Sequence, residues 1–170
     1  MIKRLFHSLL ILSIVLILSQ TILKNIALWG IIPDIGLIFL VFFSSTHGAQ
    51  ESQFSGFGFG LLEDVVSLSP MGFHALHRTI CAYVFGLGKG NIFYDPIFIP
   101  TLMILLGTLL KYILYFVFSL VFNLGLTFEL VFNFGFIIEL LYNGVLAAAL
   151  YFLYANLLNK KEVEKGAYLG

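Results

Sequence analysis

The sequence predicts an all-α integral membrane protein of about six transmembrane helices, and three observations carry that prediction. Of 170 residues, 60% are hydrophobic and 11% charged, with a mean hydropathy of +1.02; a soluble domain carries about 25% charged residues. Apolar runs recur at membrane length, and at roughly 20 residues per crossing the chain holds about six of them with short loops. The basic residues gather at the two ends, as Lys3 and Arg4 and then Lys160, Lys161 and Lys165, which is a pattern of membrane orientation. One polytopic membrane domain over residues 1–170 is the simplest organisation, with no room for a separate soluble domain. The formal net charge is zero, so no nucleic-acid partner is expected. The lone Cys81 excludes an intrachain disulfide and a multi-cysteine metal site.

The first span runs from about Leu5 to Leu23, closed by Lys24-Asn25. It follows a signal-like Met1-Ile-Lys-Arg4 start but lacks a small-x-small cleavage pattern, so it reads as an uncleaved helix. The second covers roughly Ile26 to Ser45 with Pro33-Asp34 in its first half, and a polar loop, His47 to Gln53, follows. Spans three (about Phe54 to Ser67) and four (about Phe73 to Gly88) are short. Roughly 14–16 residues rise about 21–24 Å, less than a hydrocarbon core of about 30 Å. The pair therefore forms either two short crossings or a re-entrant hairpin around Pro70, with its irregular backbone covered by other helices.

Gly86-Leu-Gly-Lys-Gly90 resembles a phosphate loop only superficially, because no Ser or Thr follows the lysine; it reads as a helix end and turn. Asp95-Pro96 supplies a cap and a first-turn proline for span five, which reaches about Phe122. Asn123-Leu-Gly125 breaks the chain, and span six ends near Leu158 before Asn159-Lys-Lys161. Thr127 to Asn133 can belong to that helix or to the interface. Six crossings return the chain to its starting side, which the positive-inside rule makes cytoplasmic.

Polar residues inside such a chain are costly and tend to pair or line a cavity. Gly56 and Gly60 lie four apart, with Glu63 and Asp64 one turn on. A small-x-x-x-small face admits a second helix closely, within the protein or from a partner. Gly72 follows the Pro70 turn. Around that turn Glu63 and Asp64 lie seven and six residues before Pro70, and Arg78 lies eight after it. An antiparallel hairpin then brings Arg78 to the depth of the carboxylates, with His74 and His77 beside it. We read Asp34, Glu63, Asp64, His74, His77 and Arg78 as a charge-compensated network, structural rather than a proton or ligand site. Asp34 either caps a helix restarting after Pro33 or joins the network. Two histidines three apart beside carboxylates suit zinc, but the arginine among them opposes a second cation, and no metal or cofactor is expected.

Lys111 and Glu139 lie fourteen residues either side of Gly125, so an antiparallel hairpin brings them to one depth as a buried pair; the alternative is a Lys111 that snorkels. Glu129 falls at the outer boundary. The 19 phenylalanines show no stacking spacing and read as lipid-facing bulk. No motif sets a nucleophile beside a base, so an enzyme is not expected.

Pro33-Asp34 with its apolar span, Gly56-Phe-Gly-Phe-Gly-Leu-Leu-Glu-Asp64, Pro70-Met-Gly-Phe-His-Ala-Leu-His77, and Tyr83 with Gly86 in the next span together resemble the rod shape-determining protein MreD family. The resemblance covers most of the chain. It implies a non-enzymatic component of the bacterial inner membrane that maintains cell shape within the elongation machinery. The partners it implies are the single-span protein MreC, the actin-like MreB, and the polymerase RodA with its transpeptidase. It also implies a fold similar to the substrate-binding subunits of energy-coupling-factor vitamin transporters. Asp34, Gly60, Asp64 and Gly72 are the positions it carries over, none with a catalytic role. A transporter subunit is the competing reading. Span one lacks the Ala-x-x-x-Ala patch with which such subunits pack on their scaffold, since Leu5 to Leu23 contains no alanine.

Overall fold

The computed structural model describes residues 2–21, 25, 27–67, 69–89, 98–123, 125 and 127–167. The readings of Lys24 and of the Asp95-Pro96 cap lie outside them. Among the described residues the chain is helical: α1 (Ile2–Thr21), α2 (Ile35–His47), α3 (Ala49–Val66), α4 (Phe73–Leu87), α5 (Phe98–Val121), the single turn α6 (Phe128–Val131) and α7 (Phe134–Ala167). Phe98–Val121 and Phe128–Tyr154 are long and apolar enough to cross a membrane.

Several boundaries differ from the sequence reading. The second helix starts at Ile35, not near Ile26, because residues 28–31 form a tight turn with reciprocal Leu28 and Ile31 backbone bonds of 3.0 and 2.9 Å. Trp29 and Gly30 at its centre both have positive φ, 50° and 82°, as a type I′ turn requires. The α2 N-terminus is then capped by Asp34, whose carboxylate accepts from the Leu37 N–H at 2.8 Å. The polar loop from His47 to Gln53 is instead one residue, Gly48, after which α3 begins. Its φ of 93° and ψ of 168° suit glycine alone. With that early start α3 has 18 residues. The last helix does not stop near Leu158 but continues to Ala167, since the Asn159-Lys-Lys161 run contains no helix breaker. Residues 127–133 belong to neither long helix as a whole: Thr127 caps α6, and Asn133 accepts from Phe136 N–H at 3.3 Å at the entry to α7.

The most extensive helix contact joins α3 to α4, and glycines set its closeness. A Cβ on Gly56 would lie 2.6 Å from the Arg78 carbonyl oxygen, and one on Gly60 would overlap the Ala75 backbone. This face is therefore filled from within the chain, the first of the two readings of the Gly56 and Gly60 stripe, and is not open to a separate partner helix. Gly72, by contrast, does not pack on a neighbouring helix, since no atom lies within 4 Å of its missing Cβ. Its φ of 95° places it in the left-handed region at the α4 N-cap.

Helix α1 joins this pair through a 2.7 Å hydrogen bond between the Ser8 and Ser55 hydroxyls. Leu12 and Leu16 of α1 pack with Leu40, Phe59 and Ala82. A second core unites Leu37 and Val41 of α2, Cys81 and Phe85 of α4, Ile104 of α5, and Ala147 and Tyr151 of α7. Phe43, Phe59, Phe73, Phe85 and Phe118 are buried, so phenylalanine is core filling here as well as lipid-facing bulk. Phe128, Phe132 and Phe136 also meet in sequence, the first pair stacked with centroids 4.7 Å apart and the second edge-on at 5.3 Å.

Replacing Gly60 by leucine should lower the melting temperature in detergent, because overpacking costs about 1–3 kcal/mol even where neighbours can yield, and here the neighbour is backbone. A melt equal to wild type would contradict the α3–α4 contact.

Candidate functional site

Charged side chains from α2, α3, α4, α5 and α7 meet in an alternating row. Glu63 accepts from Arg78 twice, from Nε at 2.7 Å and Nη2 at 2.6 Å, in the planar fork that guanidinium and carboxylate share. Nη2 also donates to Asp34 Oδ1 at 3.0 Å. The other Asp34 oxygen accepts from Lys111 Nζ at 2.8 Å, and Lys111 donates onward to Glu139 Oε1 at 2.7 Å. Tyr112 closes the row by donating its hydroxyl to Glu139 Oε2 at 2.7 Å. Because Asp34 starts α2, Glu63 ends α3, Arg78 starts α4, Lys111 lies past the middle of α5 and Glu139 starts α7, successive long helices run antiparallel.

Asp34 both caps α2 and joins the network. Asn143, one turn beyond Glu139 on α7, accepts from the Asp34 N–H at 2.8 Å and donates to the Thr108 hydroxyl at 3.0 Å. The Arg78 guanidinium carbon lies 5.1 Å from the Phe59 ring centroid, a cation–π contact that covers the charge's apolar side.

The structure places Asp64 differently from the sequence reading, which set it beside Arg78. Its carboxylate accepts from the backbone N–H groups of Gly72 and His74 at 2.8 Å each and of Ala75 at 3.2 Å. It also bonds His74 Nδ1 at 2.9 Å. A buried carboxylate on α3 thus satisfies the orphan donors that open α4 and meets the positive end of its dipole. His77 is fully buried, but neither ring nitrogen has a hydrogen-bond partner among the described residues. Its ring packs edge-on against Tyr115 at 5.0 Å, so its contribution is packing rather than charge compensation.

Sequence reasoning missed Tyr112, Thr108 and Asn143. The available signal was helical spacing, since Asn143 lies four residues from Glu139 and Thr108 three from Lys111. Glu129 is exposed. The Gly86 to Gly90 segment holds no phosphate cradle in its described part: Gly88 ends α4 by donating to the Phe85 carbonyl at 3.2 Å, and Lys89 reaches the His47 carbonyl at 3.2 Å. No group of three or more His, Cys, Asp and Glu side chains among the described residues is placed to hold a metal ion.

The ionic row borders a cleft of about 320 Å³ lined also by Ser19 of α1, Gly30 of the 28–31 turn, Pro33 after it, and Tyr115 of α5. A family model described as rod shape-determining protein MreD matches residues 2–161. The chain belongs to the MreD family. It is therefore a rod shape-determining membrane protein, of a family that is structural and not a known enzyme family. Neither the curated proteins nor the solved structures compared give a match. The transporter-subunit alternative has no support among these comparisons.

Removing Arg78 leaves Glu63 and Asp34 without their shared cation, and breaking a buried pair from one side costs about 3–5 kcal/mol. Arg78→Ala should sharply reduce the monodisperse yield in detergent. Exchanging the charges of Glu63 and Arg78 should restore part of it, whereas exchanging Asp64 and Arg78 should restore none. Wild-type yield from Arg78→Ala would refute the pairing.

Proposed function

We propose that this MreD-family chain is a non-enzymatic, single-domain scaffold of the bacterial inner membrane. It crosses six times, with α1 to α5 and α7 as the crossings and both termini in the cytoplasm. It holds an MreC-like single-span protein and, with it, the MreB-like cytoskeleton and the RodA polymerase with its transpeptidase. The family match carries this reading. Two observations support it: Phe98–Val121 and Phe128–Tyr154 are long and apolar enough to cross a membrane, and the basic residues lie near both termini, as a shared cytoplasmic side would have them. The row from Glu63 to Glu139 supports a structural role for its side chains, because each carboxylate and cation in it ties one helix to another. The Gly56 and Gly60 face is occupied by α4, so partner helices dock on other faces. A fold similar to the substrate-binding subunits of energy-coupling-factor transporters remains part of the proposal.

Depletion should turn rod-shaped cells round while vitamin uptake stays normal, and an MreC-like protein should co-purify with the tagged chain. Rods that persist after depletion together with a vitamin requirement would contradict the scaffold. Reporter fusions at Met1 and Gly170 should both read cytoplasmic, and opposite readings would contradict six crossings.

A further inference from the structure

The polar cleft does not end at the ionic row. Val15 of α1 and Ile35 of α2 line both it and an apolar groove of about 210 Å³, which follows α2 past Ile38 and Phe42 to Leu150 of α7. Helix α1 packs on α2 and α3, and α7 packs on α5 and α2, so the groove runs between α1 and α7. The cleft is charged and the groove beside it apolar, which together is the chemistry of an amphiphile. The cleft alone is at the lower end of ligand-site volumes, roughly 300–1,000 Å³.

The charges select the headgroup. Three cleft carboxylates, Asp34, Glu63 and Glu139, face two cations, Arg78 and Lys111, and the third basic side chain there, His74, is bonded to Asp64. The cleft thus carries one surplus negative charge. Glu63 is the most open of its carboxylates, 14% exposed against 9% for Asp34 and for Glu139. Each of its oxygens accepts one bond from Arg78 and keeps capacity for another. An ammonium brings three donors and the missing charge, whereas a purely anionic headgroup meets repulsion. Lys111 uses two of its three N–H donors on Asp34 and Glu139 among the described residues, which leaves one for a headgroup phosphate.

We propose that the adjoining cleft and groove bind a membrane phospholipid with a primary-ammonium headgroup, the ammonium against Glu63 and an acyl chain along α2 beside Leu150.

The test is native mass spectrometry of the delipidated full chain in neutral detergent, titrated with dioleoyl phosphatidylethanolamine, phosphatidylglycerol or phosphatidylcholine. Phosphatidylethanolamine should bind at least about tenfold tighter than either of the others, the choline headgroup having charge but no N–H donor. Glu63→Gln should abolish that preference. Leu150→Trp, which fills the groove without touching the ionic row, should weaken binding of all three while the melting temperature holds, and it carries the test if Glu63→Gln fails to fold. Equal affinities, a preference for phosphatidylglycerol, or unchanged binding by Leu150→Trp would overturn the proposal. So would glycerophosphoethanolamine binding as tightly as the whole lipid, which would assign the cleft to a small zwitterion. A photo-crosslinking residue in place of Leu150 in native membranes should label lipid; labelling of another polypeptide would assign the groove to a helix instead.

Discussion

Two cations must serve three carboxylates inside the helix bundle, and that constraint decides where five helices sit. Arg78 cannot serve Glu63 alone, nor Lys111 Glu139 alone, without stranding Asp34. Sharing both cations through Asp34 fixes the start of α2 against α4 and α5 together. The outer members, Glu63 and Glu139, then bring in α3 and α7. Such a row adds little net stability relative to well-packed apolar side chains, because desolvating the charges offsets most of their attraction. What it supplies is discrimination, since any slip of one helix along another leaves a charge unpaired in a medium without water.

Small residues supply the complementary half of the construction. Lipid offers no hydrophobic drive for helices to associate, so close backbone approach and internal hydrogen bonds do more of that work. Gly56 and Gly60 let the α4 backbone close on α3, and only at that separation does Asp64 reach the N–H groups of Gly72, His74 and Ala75. The same approach carries Arg78 to Glu63. Packing and charge pairing are therefore one arrangement: a bulky residue on the α3 stripe pushes apart the groups that must neutralise each other.

The hairpin geometry was legible in the sequence where residues are symmetric about a turn. Lys111 and Glu139 are equidistant from Gly125, and Glu63 and Arg78 nearly so from Pro70, and antiparallel helices bring such positions to one depth. The same reasoning failed for Asp64 because it sets depth without direction. Adjacent helical residues point about 100° apart, so Glu63 and Asp64 cannot both face Arg78. The link from Asp34 to Lys111 joins helices far apart in the chain and follows no local rule. The late start of α2 was hidden for another reason: the 28–31 turn is built from apolar residues, and hydropathy alone extends a helix through it. The resemblance to the family lay in short stretches of this chain that include these special positions, the Asp34 cap and bridge and the glycine face ending at Asp64.

The only cysteine offers a direct probe of the ionic row. Cys81 is buried against Leu37 and Val41 of α2 and Ile104 of α5, so a membrane-permeant maleimide reaches it only when those helices part. Lys111 lies on α5, yet if the row holds the bundle, Lys111→Met should open it. Labelling in native membranes should then accelerate about a hundredfold or more, as expected for breaking a buried pair from one side. Adding Glu139→Gln, which restores the charge balance without restoring the bond, should bring the rate most of the way back. Labelling of Lys111→Met at the wild-type rate would show that apolar packing alone holds these helices, and would contradict the account.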